Sequence, residues 1–170
     1  MSRHSPDELK FRRFRREDAP AVRELHELAL RRVGAFAESP EARTWDRDLD
    51  DIEQSYLANG GEFLVGRAVG QIVAMGGLRV HDASRGQVKR MRVHPDYQGR
   101  GYGRALLERL EKHARDIGLS ELFLDTSPVQ VAALSLYESS GYLEMRRLTE
   151  GGVDMIFLEK SLASDVLQRT

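Results

Sequence analysis

The chain of 170 residues is 41% apolar and 31% charged, with 26 basic side chains set against 27 acidic ones. That length suits one domain with a sizeable core, and the near-neutral charge supplies no field to draw it onto nucleic acid or an acidic membrane. Cysteine is absent, which excludes disulfides, thiolate metal sites and a cysteine nucleophile. The opening MSRHSPDELK lacks the apolar core of a secretory signal. No apolar run approaches the ~18 residues of a membrane-spanning helix, so a cytoplasmic location is expected.

In chain order, LKFRRFRR (residues 9–16) mixes aromatics with arginines and reads as a first strand. Asp18 reads as an N-cap, with Pro20 in the first helical turn, where a missing N–H costs little. Val22, Leu25, Leu28, Ala29 and Val33 then recur at helical spacing. A second helical stretch is expected through EARTWDRDLDDIEQSYLANGG, with Leu49, Ile52, Tyr56 and Leu57 as its apolar face and Asn59-Gly60-Gly61 as its stop. EFLVGRA and QIVAMGGLRV form two strands turning near Val69-Gly70, and QVKRMRV is the next strand, apolar at Val88, Met91 and Val93. The helix that follows buries Leu106, Leu107, Leu110, Ala114 and Ile117 and stops at Gly118, a residue suited to the left-handed position after a helix end. LSELFLD is a short apolar strand ending in Asp125. Ser127-Pro128 starts a helix filled by Val131, Leu134 and Tyr137 and closed by Gly141. YLEMRRL and VDMIFLEKSL, parted by Glu150-Gly151-Gly152, make a last hairpin.

Strands outnumber helices and several are joined as hairpins. The expected class is therefore α/β (α+β), a mixed sheet with helices packed on it rather than a fully parallel doubly wound sheet.

The segment VHPDYQGRGYGRALL, residues 93–107, sets three glycines at alternate positions between a strand and a helix. A dinucleotide-binding GxGxxG would need a further glycine where Arg104 or Leu106 stands, and a Walker A loop would need Gly-Lys-Ser/Thr. A kinase glycine loop is not followed by a helix. What remains is Gln98-x-x-Gly101-x-Gly103 at a helix start, where unpartnered backbone N–H groups carry partial positive charge. Absent side chains at Gly99, Gly101 and Gly103 let a pyrophosphate approach those amides, and Arg100 and Arg104 add cationic donors.

On these residues the chain resembles the GNAT superfamily of N-acetyltransferases, whose signature is Gln/Arg-x-x-Gly-x-Gly/Ala after a strand ending in Val-x-Pro, here Val93-His94-Pro95. Phe11-Arg12-x-Phe14 with Asp18 resembles the family's first strand and helix start, and AALSLYESSGY (132–142) its helix ending in Leu-Tyr-x-x-x-Gly-Phe/Tyr. The resemblance implies one acetyltransferase domain over residues 1–170 with its core at about 9–160. It also implies a mostly antiparallel sheet of six or seven strands, helices on both faces and a splayed central strand pair.

The resemblance further implies transfer of an acetyl group from acetyl-CoA to a primary amine of a small molecule or peptide, by direct attack in a ternary complex, with no metal. Met91, Arg92 and Val93 would lie along the pantetheine arm, their main chain bonding it like an added strand. Gln98, Gly99, Arg100, Gly101, Tyr102, Gly103 and Arg104 would hold the pyrophosphate. Gln130 stands where the family often has an asparagine against the cofactor, and is a departure. Tyr137 matches the tyrosine that protonates the departing sulfur, a role suited to a phenol that ionises near ~10. Asp125 matches the place of a glutamate base in some members, with His81, His94 and a water chain as alternatives.

Other features have plainer readings beside the functional ones. Lys10, Arg12, Arg13, Arg15 and Arg16, interleaved with Phe11 and Phe14, offer a nucleic-acid surface, but solvated arginines on an exposed strand are favoured. Asp46, Asp48, Asp50, Asp51 and Glu53 either wall a site for a cationic amine or form a solvent face, and Trp45 either stacks on a substrate or packs. Neither a nucleic acid nor a membrane is expected as partner, and the chain is expected as monomer or homodimer. The alternative function is a non-catalytic acyl-CoA-binding module on the same fold.

Overall fold

In the computed structural model, which describes residues 8–163, alternate residues of the central strands divide between two apolar clusters. Leu64 of β2 (Glu62–Ala68) and Ala74 and Leu78 of β3 (Gln71–Val80) join one; Phe63, Val65 and Met75 join the other. This is the two-residue period of a strand with both faces covered. The first face is closed by α3 (Tyr102–Asp116), through Leu106, Leu107, Leu110 and Ala114, with Tyr137 of α4 (Val131–Ser139) beside it. The second is closed by Val22 and Leu25 of α1 (Ala19–Arg32) and by Leu49, Ile52 and Tyr56.

Among the described residues the strands form one seven-stranded sheet. Its order is β1 (Lys10–Arg13), β2, β3, β4 (Arg85–Val93), β5 (Glu121–Thr126), β7 (Val153–Ser161) and β6 (Leu143–Glu150). Every neighbouring pair is antiparallel except β4 with β5. That parallel pair is short: Arg85, Gly86 and Gln87 face Glu121, Leu122 and Phe123, and the ladder ends there. β5 stays paired with β7 as far as Thr126, so the rest of β4 has an open edge on the β5 side. The mixed, mostly antiparallel sheet with a splayed central pair is the expected architecture.

A β-bulge sits on the open part of β4. Met75 faces Arg92 and Gly77 faces Lys89, so Arg90 and Met91 together oppose Gly76. Arg90 takes the left-handed conformation, φ +61, where glycine is usual in such bulges. The extra residue shifts the phase of the strand. Val88, Met91 and Val93 all reach the α3-side cluster, and Arg92 is left on the other face.

Several local expectations are corrected. The second helical stretch is broken into α2 (Pro40–Trp45), a 3₁₀ turn at Arg47–Leu49 and a π-turn at Glu53–Leu57. Aspartates, whose side chains compete for backbone N–H groups, interrupt it: Asp51 accepts from Gln54 N–H. Asp18 precedes α1 but does not cap it. Its carboxylate takes the Arg15 N–H at 2.8 Å and both Arg12 Nη atoms at 2.6 and 2.8 Å. The first strand stops at Arg13 rather than running to residue 16, and Ile117 stays exposed. Ser127-Pro128 forms a turn, and α4 starts at Val131. Val69-Gly70 is a two-residue hairpin turn with both φ positive, +49 and +78, the type I′ geometry.

Candidate active site

β4 leads directly into the glycine segment. The Asp96 N–H donates to His94 Nδ1 at 3.1 Å, shaping a 3₁₀ turn at Pro95–Tyr97. Gly99 and Gly101 have φ of +76 and +80, and a Cβ on either would meet nothing within 4 Å. They are required for backbone shape, and they leave the approach to the start of α3 open. Gly103 differs: a Cβ there would lie 3.2 Å from Leu136 Cδ2 of α4. Its missing side chain permits close packing of two helices.

The arginines of this segment also separate. Arg104 donates to Ser139 Oγ at 2.7 Å and to Ser140 Oγ at 3.3 Å, tying α3 to α4. Arg100 lies over the Tyr97 ring, 4.9 Å from its centroid, and Tyr97 stacks on Tyr102. Gln98 Nε2 donates to the Val93 carbonyl at 3.2 Å.

The open side of β4, the glycine segment, α4 and the last turns of α1 enclose a cleft lined by Met91, Arg92, Val93, Gly101, Gln130 and Tyr137, among others. Tyr137 is 6% exposed, with its ring edge-on to Tyr142 at 5.8 Å. Among the described residues nothing hydrogen-bonds its hydroxyl. Burial pushes its pKa up to about 12 against an opposing pull from Arg92, so the phenol holds its proton at neutral pH. Gln130 precedes α4; its Nε2 donates to Ser127 Oγ at 3.3 Å, and its Oε1 accepts from Arg92 Nη1 at 3.4 Å.

The candidate bases are not gathered around Tyr137. Asp125 is exposed on β5 opposite Phe157 and is outside the cleft lining, although its charge reaches Tyr137. His81 packs edge-on against Phe123 at 5.3 Å, and His94 is engaged in its turn.

The acidic stretch divides: Asp48 is buried and Asp46 half-buried, while Asp50 and Asp51 are exposed to solvent. Arg90 grips Asp48 with two nitrogens, one at 2.9 Å, Asp46 Oδ1 at 2.8 Å and the Trp45 carbonyl at 2.6 Å. Tyr56 donates its hydroxyl to Asp48, and His26 Nε2 meets Asp46 Oδ2 at 3.1 Å. Burial acts to raise the Asp48 pKa, but the hydrogen bonds and charge of Arg90 outweigh it and hold the carboxyl at about 2. Asp50 pairs with Arg23 and Glu53 with Arg16. Trp45 is 56% exposed. The N-terminal arginines are not simply solvated either: Arg12 pairs with Asp18, Arg13 with Glu62 and Arg16 with Glu53.

The side-chain roles of Arg90 and Arg92 are absent from the sequence expectations. The available signal was the spacing of Val88, Met91 and Val93, three and then two residues, which breaks strand alternation as a bulge does.

A model of the acetyltransferase (GNAT) family matches residues 20–142. An IAA acetyltransferase of Azospirillum brasilense is 39% identical over 103 residues, 59% of this chain and 67% of that protein. An acetyltransferase of Pectobacterium atrosepticum is 32% identical over 159 residues, 92% of this chain and 98% of its own. Mammalian N-acetyltransferase 8 relatives also match, but the chain spans only 44% to 50% of their length. The crystal structure of a PaiA N-acetyltransferase from Thermoplasma acidophilum, in complex with coenzyme A, superposes with a TM-score of 0.74 at 21% identity, over 91% of this chain and 99% of that one. With the family model covering most of its length, the chain belongs to the acetyltransferase (GNAT) family.

Proposed function

We propose that residues 9–160 form one acetyltransferase domain that moves an acetyl group from acetyl-CoA to a primary amine of a small molecule or peptide in a ternary complex. The observation that carries this reading is Tyr137, a buried and protonated phenol without a hydrogen-bond partner among the described residues, in a cleft bounded by an open strand edge and a left-handed glycine turn. The residues present fit the coenzyme. The main chain of Met91 and Val93, on the unpaired edge of β4, takes the extended pantetheine arm as a strand would. The amides from Gly99 to Arg104 take the pyrophosphate at the start of α3.

The acetyl thioester supplies the activated acyl group. The amine nitrogen bonds to the acetyl carbon, the carbon–sulfur bond breaks, and Tyr137 gives its proton to the departing sulfur. The amine gives up one proton to water, with Asp125 receiving it through solvent, and Tyr137 is reprotonated from solvent. Holding both reactants in one cleft supplies much of the acceleration.

The test is calorimetric titration with acetyl-CoA, followed by thiol release over amino acids, polyamines, aminoglycosides and peptide N-termini. Saturable binding with release on one acceptor class is expected. Tight binding with no release on any amine would favour the non-catalytic module.

A further inference from the structure

We propose that the Arg92 side chain binds a carboxylate of the acceptor, so that the substrate is an amine of amino-acid type whose acid group lies a few bonds from the reacting nitrogen. This rests on the acetyl-transfer reading above.

Three observations carry it. First, Arg92 has no carboxylate partner among the described residues. Its Nη1 donates to the Met91 carbonyl at 2.8 Å and to Gln130 Oε1 at 3.4 Å, while its Nε is sealed from water without an acceptor. A guanidinium held in a low-dielectric place with donors unfilled is costly unless an anion completes it. Second, Arg92 lines the cleft beside Tyr137 and Gln130, and the bulge at Arg90 puts it on the sheet face that carries α1. It lines the same cleft as Tyr137, from the opposite face of the sheet. Third, the neighbouring charges do not supply the anion. Asp46 and Asp48 are taken by Arg90, His26 and Tyr56. The pyrophosphate has its own seat several residues further on, at the glycine turn.

A planar fork of donors matches a carboxylate, and its place in the cleft that the proton donor also lines keeps that acid near the amine. The cationic amines that the acidic stretch suggested would meet a positive wall here instead.

The test is a panel of L-α-amino acids, each assayed beside its carboxamide and its decarboxylated amine, by thiol release and by calorimetric binding to the protein–CoA complex. The carboxylate form is expected to be preferred by about 10- to 100-fold in kcat/KM, the range for hydrogen bonds to a charged group. Arg92→Gln is expected to collapse that ratio toward one, and Arg92→Lys to restore part of it. The proposal is overturned if carboxamides and plain amines react as well as the acids, a result that leaves acetyl transfer standing. It is equally overturned if Arg92→Gln slows acids and amides alike, which assigns the guanidinium to the reaction itself. If no amine turns over, the acetyl-transfer reading fails, and the binding arm still decides: the carboxylate role survives only if the acids alone bind the CoA complex.

Discussion

Arg90 and Arg92 stand two residues apart on one strand, carry the same group, and live in opposite electrostatic surroundings. Arg90 meets two carboxylates and a carbonyl, a full set of acceptors for a buried fork. Arg92 meets a carbonyl and an amide oxygen and has a donor to spare. Burial acts to lower the pKa of both. For Arg90 the aspartates more than reverse the effect, whereas Arg92 is brought down to about 10. The contrast teaches how to read a buried cation: a saturated one braces the fold, and an unsaturated one is kept for a ligand.

The largest effect is expected at the ligand end. Tyr137→Phe should lower kcat by about 10²–10⁴-fold, the usual loss of a general acid, in single-turnover acetyl transfer. A change under about twofold would make Tyr137 a packing residue and remove the reason for an anion site beside it.

Next comes stability. Arg90→Met leaves Asp48 buried beside Asp46 without its cation, and should cost about 3–5 kcal/mol in urea unfolding. Arg92→Met removes a charge that no carboxylate among the described residues pairs with, and should raise stability by about 1 kcal/mol while harming acceptor use. Equal losses for the two variants would erase the distinction.

The paired cluster also predicts a pH response. His26 is buried, and burial lowers its pKa despite Asp46. The unfolded chain then binds that proton more tightly, so stability should begin to fall as pH drops below the ordinary 6.5. Asp48 is held at about 2 against an ordinary 3.8, so its contribution is present above the ordinary value and is lost as pH falls toward about 2. Unfolding midpoints across this range should show two stages, and His26→Gln should flatten the upper one.

The smallest effect concerns the other non-glycine residue with positive φ among those described, Val69. Arg90 is held in that conformation by its clamp, whereas Val69 is 61% exposed on a hairpin tip. Val69→Asn should therefore stabilise by about 1 kcal/mol, the scale of the left-handed penalty, read as a rise in Tm. A fall would mean that the turn is not under strain.

Much of the fold was legible because its signals are local. The apolar alternation of β2 and β3, the helical spacing of Leu106, Leu107 and Leu110, and the stop at Gly118 each depend on residues a few positions apart. The broken stretch at 40–57 was not legible, because its aspartates bind partners on distant elements: Asp46 and Asp48 reach Arg90, and Asp50 reaches Arg23. Asp18 misled for the same reason, since Arg12 competes for the carboxylate that a cap would use.

By itself the sequence determined the backbone shape of the glycine turn and the presence of a tyrosine on the helix that follows β5, because left-handed glycine and helical spacing are properties of short segments. Only the tertiary structure decided which charges cancel. Whether an aspartate faces solvent, an arginine or a substrate depends on what β4, α1 and the loop between them bring within a few ångströms. There a bulge at Arg90 sets which arginine is spent on the fold and which one faces the cleft.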